Sequence, residues 1–141
     1  MYAEIILPLP LYSTFTYEIP EEMRHDLCKG SRVLVQFGKK KYYTGIVEHI
    51  HSQAPAGYDV KQIMALLDPT PVVRYPQLKL WHWIAEYYLC SPGEVFKAAV
   101  PTGLKPESET FVSLNNDFEM PEGIRLNESQ AMVIQSLQNK K

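Results

Sequence analysis

Cysteine is scarce in this chain: two among 141 residues, Cys28 and Cys90. With no C-x-x-C pair and no histidine at ligand spacing, a metal site or a disulfide framework is not expected, and the two thiols are read as idle. No apolar run approaches the ~20 residues that cross a bilayer. The N-terminus carries an early acid, Glu4, and Pro8 but no basic stretch, so a signal peptide is not expected either. Charge of one sign is lacking too, the formal net charge being −2. A protein that coats duplex DNA is usually basic throughout, so any nucleic-acid contact here should be local, limited to a few phosphates or a strand end. Catalytic patterns are missing as well: there is no G-x-x-x-x-G-K-[ST], G-x-S-x-G or H-E-x-x-H, and Gly38-Lys39 lacks the upstream glycine of a phosphate loop. Asp59 and Asp68 are isolated acids, and an enzyme is not expected.

Hydrophobic residues make up 45% and charged residues 21%, which places the chain among soluble globular proteins. Its length suits one domain, or one of ~100 residues followed by part of another. Basic side chains are concentrated: residues 29–61 hold six (Lys29, Arg32, Lys39, Lys40, Lys41, Lys61) against two acidic ones. The central stretch reads R-V-L-V-Q-F-G-K-K-K-Y-Y-T-G-I-V from Arg32 to Val47, two apolar strands around a lysine-rich tip. Gly38 tolerates positive φ and close backbone approach. Lysines beside aromatic rings suit a single nucleic-acid strand, cations meeting phosphates and rings meeting bases, although a solvated hairpin tip has the same composition.

Further strands are expected at 2–7, at 14–19 and at 60–67. In the second, Phe15, Tyr17 and Ile19 alternate with Thr14, Thr16 and Glu18. His49 and His51 share one strand face without a third ligand, which favours a solvated or structural role. From Pro76 the apolar period changes to three and four, predicting a helix over 76–90 that ends at Ser91-Pro92-Gly93; its tryptophans and Tyr87-Tyr88 are expected in the core. Residues 94–100 fit either a helix or a strand. After a linker at 105–109 come a strand candidate at 110–114, turns at 116–123, and a helix begun by the capping box Asn127-Glu128-Ser129-Gln130. The fold class is therefore mixed α+β, mainly β: a small barrel-like sheet with one packed helix.

Several pieces recur together: Pro8-Leu9-Pro10, Thr14-Phe15-Thr16-Tyr17, Gly30-Ser31-Arg32-Val33, Phe37-Gly38-Lys39, Gly45-Ile46-Val47, Trp83-Ile84-Ala85-Glu86-Tyr87-Tyr88, Gly93-Glu94-Val95 and Ala98-Ala99-Val100-Pro101. In this order they resemble the N-terminal region of primosomal protein N′ (PriA), the DNA helicase family that restarts bacterial replication. The resemblance implies a 3′-end DNA-binding domain over 1–105 and, over 106–141, a linker and the start of a winged-helix domain. It implies a non-catalytic region that recognises the 3′ end of the nascent leading strand at stalled or branched forks. Its partners would be a single-stranded 3′ end and forked DNA, with single-stranded DNA-binding protein and primosome proteins meeting the parent protein. No cofactor is implied within 1–141; ATP, magnesium and zinc would belong to parent domains beyond Lys141, and the location would be cytoplasmic, with the nucleoid. By position, Phe15, Thr16, Gly38 and Lys61 would line the end-binding pocket, Tyr17 would adjoin it and Lys39 would lie at its rim; Lys40 and Lys41 of the tip complete the candidate DNA-binding residues. Thr16 departs from the aspartate of well-known members, which removes a charge from the expected base contact. A small β-barrel module for protein–protein interaction is the alternative.

Overall fold

The computed structural model describes residues 1–55, 57, 59–108 and 126–138. The chain divides into two units, Met1–Ser108 and Glu109–Lys141. In the first, β1 (Tyr2–Ile6), β2 (Phe15–Glu18), β3 (Arg32–Phe37), β4 (Lys41–His51) and β5 (Ile63–Leu66) form one antiparallel sheet in the order β2-β1-β4-β3-β5. The sheet curls into a half-barrel, and alternation within each strand builds two cores from it. Ala3, Ile5, Tyr17, Val33, Val35, Val47 and Ile63 fill the concave side. Ile6 and Ile46 point the other way, onto the helices. A register shift between Glu4 and Ile5 opposite β4 inserts Glu48 as an extra residue. Such a bulge bends a strand, and here the Glu48 carboxylate reaches His82 on the covering helix.

Two helices cover the convex side, α1 (Tyr75–Tyr88) and α2 (Pro92–Ala99), so the expectation of one packed helix is corrected to two. Ser91-Pro92-Gly93 both follows the first helix and begins the second. The Ser91 Oγ accepts from the Glu94 N–H (3.3 Å) while the Glu94 carboxylate accepts from the Ser91 N–H (2.9 Å), a reciprocal cap. The Ser91 N–H foremost, and the Ser91 hydroxyl that donates to the same carboxylate at 2.8 Å, hold the Glu94 carboxyl below its usual range. Gly93 permits close docking, since a Cβ there would fall 2.1 Å from the Leu9 carbonyl oxygen.

Leu78, Trp81 and Ala85 form the buried stripe of α1, with the Trp81 ring stacked on Phe96 at 5.7 Å. The expectation that both tryptophans and the Tyr87-Tyr88 pair are core holds for Trp81 alone. Trp83, Tyr87 and Tyr88 are 56–67% exposed and form a surface row, Trp83 and Tyr87 stacked at 5.1 Å. Trp83 and Tyr87 lie on the helical face opposite Leu78, Trp81 and Ala85, whereas Tyr88 shares their face but is exposed as the last residue of the helix.

Residues 104–108 are fastened back onto the sheet. The buried Arg32 guanidinium donates to both oxygens of Asp68 (2.6 and 2.8 Å) and to the Leu104 carbonyl (2.6 Å). Buried Thr44 donates to the Pro106 carbonyl at 2.6 Å, and Ser108 exchanges bonds with the Tyr42 backbone. Arg32 is thus internally paired, and it drops out of the basic surface that the sequence suggested.

In the second unit the described element is α3 (Glu128–Gln138), capped as expected: Asn127 Oδ1 accepts from the Gln130 N–H at 2.8 Å and Gln130 Oε1 from the Asn127 N–H at 3.0 Å. One helix does not establish a winged-helix fold. The strand and turns expected at 110–123 lie outside the described residues.

Candidate nucleic-acid interface

The edges of the curled sheet meet at one point. Glu18 of β2 bridges to Gln62, ahead of β5, through its N–H to the Lys61 carbonyl (2.9 Å) and its carboxylate to the Gln62 amide (3.0 Å). That bridge brings positions 15–17 beside position 61, while the β3–β4 tip supplies Gly38. The result is an open cleft of about 200 Å³ lined by Thr14, Phe15, Thr16, Tyr17, Gln36, Phe37, Gly38, Asp59 and Lys61. It is smaller than the roughly 300–1,000 Å³ of a pocket for a drug-sized ligand and suits a single planar ring.

Phe15 answers two demands at once. It packs on the concave core, its ring meets Phe37 edge to face at 4.8 Å, and it remains half-buried in the cleft wall. Tyr17 is buried and donates its hydroxyl to the Gln36 carbonyl at 3.1 Å; burial pushes its pKa up to about 12, so it stays a neutral wall. Gln36 in turn donates to the Lys39 carbonyl at 2.8 Å, bracing the hairpin tip against the cleft. Gly38 sits at φ +66°, a conformation that costs an L side chain roughly 1–2 kcal/mol. The Lys61 ammonium donates to the Gly38 carbonyl and so joins the tip to the far wall.

Thr16 occupies an edge position with a specific backbone consequence. Because the Glu18 N–H points away from β1 to Lys61, Glu18 and Thr16 are the non-hydrogen-bonded partners of Tyr2 and Glu4. The Thr16 N–H and carbonyl therefore face the open edge. Its side chain lies beside Glu4, and the hydroxyl donates to Glu4 Oε1 at 2.7 Å. Glu4 also accepts from Thr14 (2.8 Å) and pairs with His51 Nε2 (3.1 Å). Partial burial raises the Glu4 pKa, but the bonds from Thr16, Thr14 and His51, with the His51 charge, outweigh it and hold the carboxyl below its usual value.

Of the residues singled out from the sequence, Phe15, Thr16, Tyr17, Gly38 and Lys61 share the cleft, whereas Lys39, Lys40 and Lys41 are exposed on the adjoining tip and do not line it. Sequence reasoning missed Thr14, Gln36, Phe37 and Asp59 as lining residues. Phe37 and Gln36 carried a usable signal, being the last strand residues before the tip; Asp59 carried none, as only barrel closure brings it round. His51 is structural, paired to Glu4, and the exposed His49 ring stacks on it at 6.0 Å. No cluster of His, Cys, Asp or Glu among the described residues could hold a metal ion, and no described helix is long and apolar enough to cross a membrane.

Proteins named replication restart protein PriA from several bacteria are similar to this chain. That of Bacillus subtilis is 26% identical over 123 residues, 85% of this chain and 15% of its own length. That of Haemophilus influenzae is 32% identical over 102 residues (72% of this chain, 14% of its own), and that of Buchnera aphidicola 31% identical over 99 residues (70% and 13%). The chain thus spans about one seventh of the length of the curated relatives it matches. The family model described as the 3′DNA-binding domain (3′BD) of PriA matches residues 4–101, which takes in β2 to β5, β1 from Glu4 onward, both covering helices and every wall of the cleft. The chain therefore belongs to the PriA 3′DNA-binding domain family.

Proposed function

We propose that the cleft holds the terminal nucleotide of a DNA strand ending in a free 3′-hydroxyl, and that the domain serves a replication-restart protein by locating that end at a stalled or branched fork. The observation that carries this reading is the convergence of Phe15, Thr16, Gly38 and Lys61, from three separate parts of the chain, on one base-sized cleft. Phe15 offers a ring face for a base. The free main-chain groups of Thr16 and the Gly38 carbonyl offer donors and acceptors at backbone distance. A 3′-hydroxyl both donates and accepts, so close backbone approach separates it from a continuing phosphodiester, which cannot donate. Lys39, Lys40 and Lys41 at the tip meet the phosphates that precede the end.

Stacking one base contributes roughly 1–3 kcal/mol, against association costs of at least about 4 kcal/mol. The isolated domain therefore binds weakly, and its effect is orientation within a longer protein, where tethering raises the effective concentration. Replication machinery, ATP and the motor chemistry belong to that longer protein. The test is fluorescence anisotropy with strands ending in a 3′-hydroxyl or a 3′-phosphate. The hydroxyl is expected to bind more tightly, and equal affinity rejects end recognition.

The exposed row Trp83–Tyr87–Tyr88 favours a second reading, a protein-docking surface. A partner retained despite Lys39→Ala, Lys40→Ala and Lys41→Ala, with no DNA retained at low salt, supports that alternative.

A further inference from the structure

Of the basic residues in the 29–61 stretch, Lys29 alone has no place in the cleft, the tip or the Arg32 clasp. Its turn is docked on the segment that leads into α1. The Gly30 carbonyl accepts from the Val73 N–H at 3.2 Å, and the Gly30 N–H donates to the Val47 carbonyl at 2.7 Å. Glycine is required there, at φ +87° and with a Cβ position 1.8 Å from the Val73 carbonyl oxygen. The docking carries Lys29 to the start of α1, where its ammonium lies 4.9 Å from the centre of the exposed Tyr75 ring. Lys79 reaches the same ring at 4.7 Å. The Lys79 contact is an ordinary neighbour pair one turn along a helix, whereas Lys29 arrives from a different element. The two ammonium groups are thereby held within about 10 Å of each other, and Arg74 adjoins the ring they share. All three cations are exposed, and among the described residues none pairs with a carboxylate. Like charges about one Debye length apart repel, and an anion placed between them relieves that repulsion.

We infer that Lys29, Arg74 and Lys79 form a second contact for DNA, separate from the cleft, that takes the phosphodiester backbone of a duplex arm. Ammonium and guanidinium groups meet phosphate oxygens, contacts that position DNA without reading its sequence. The strand β3 separates the two sites: it begins just after the Lys29 turn and ends at Phe37 in the cleft wall, so its six residues set them about 20 Å apart. That distance corresponds to roughly six base pairs of duplex. DNA that ends in the cleft therefore reaches the patch only through the stretch behind its 3′ end, and a duplex is stiff enough over this length to keep the spacing. The spacing argument rests on the end-recognition reading above.

The experiment uses the full chain and two ligands. One is a dinucleotide with a 3′-hydroxyl, which stops short of the patch and is followed by NMR titration. The other is a hairpin DNA with a recessed 3′ end and a stem several times the span, followed by anisotropy over a range of salt as the 3′-hydroxyl and the 3′-phosphate. For the hairpin, Lys29→Gln and Lys79→Gln are each expected to weaken binding roughly two- to fivefold at low salt. Together they are expected to reduce the steepness of log affinity against log salt by about 2. Lys29→Arg with Lys79→Arg is expected to retain both. Dinucleotide affinity and the ratio of hydroxyl to phosphate affinity are expected to stay unchanged. Lys97→Gln removes an exposed lysine of α2, controls for net charge, and is expected to leave hairpin binding unaltered. The inference is overturned by a hairpin indifferent to Lys29 and Lys79, by an equal effect on the dinucleotide, or by an equal effect of Lys97→Gln. It is overturned too if millimolar inorganic phosphate, at constant ionic strength, removes the effect of the two lysines, which would mark a site for small anions. Equal affinity for hydroxyl and phosphate in the unaltered protein sinks end recognition itself and is read separately.

Discussion

At the scale of single residues, Glu4 shows how a strand pairing can matter more than the residue type it carries. Its folded-state pKa lies below the usual carboxylate value because three side-chain donors and the His51 charge outweigh the cost of partial burial. A carboxyl lowered on folding adds stability above its unfolded pKa and withdraws it as pH falls through the lower folded value. Acid should therefore destabilise the unaltered protein more than Glu4→Gln as pH drops below about 4.5, the ordinary value for this group. Urea melts between pH 3 and pH 7 check this; identical acid slopes for the two proteins contradict it. From the sequence Glu4 was only an acid near the N-terminus. Its pairing with Thr16 depends on register, which alternation alone leaves open until neighbouring strands are matched.

Whole elements were more legible than their roles. The five strands were recoverable because Phe15/Tyr17/Ile19 and Val33/Val35 alternate, and α1 because its apolar residues recur at three and four. The second helix was obscured by Ser91-Pro92-Gly93, which has the composition of a terminator; the Ser-x-x-Glu spacing within it was the cue to a new start. The two tryptophans of α1 divide by angle rather than by type. Trp81→Ala is expected to cost roughly 3–5 kcal/mol, since it empties the contact with Phe96. Trp83→Ala should change stability by no more than about 0.5 kcal/mol. Chemical denaturation of the two variants decides this, and comparable losses would place Trp83 in the core after all.

For the molecule as a whole, the family match ends at residue 101, but the hydrogen bonding of the first unit runs to Ser108. Removing 102–108 would leave the Arg32 guanidinium without the Leu104 carbonyl and buried Thr44 without that of Pro106. An unsatisfied buried polar group costs roughly 1–3 kcal/mol. Residues 1–101 are therefore expected to melt at least about 5 °C below residues 1–108, as scanning calorimetry would show; equal midpoints would mean that those bonds are readily replaced by water. The cleft was legible from sequence only through family resemblance. Phe15, Gly38 and Lys61 are far apart in the chain, and what unites them is the closure of the barrel.

That closure is itself incomplete. Between β2 and the start of β5 the sheet is sewn by one stitch, Glu18 to Gln62, and beyond it the seam gapes where the cleft lies. A guest lodged there acts as mortar between two courses of brick, tying walls that the protein alone leaves loosely joined. On the end-recognition reading, the occupied domain is expected to be stiffer than the empty one, most of all along this open seam, and hydrogen exchange with and without a bound strand would show it.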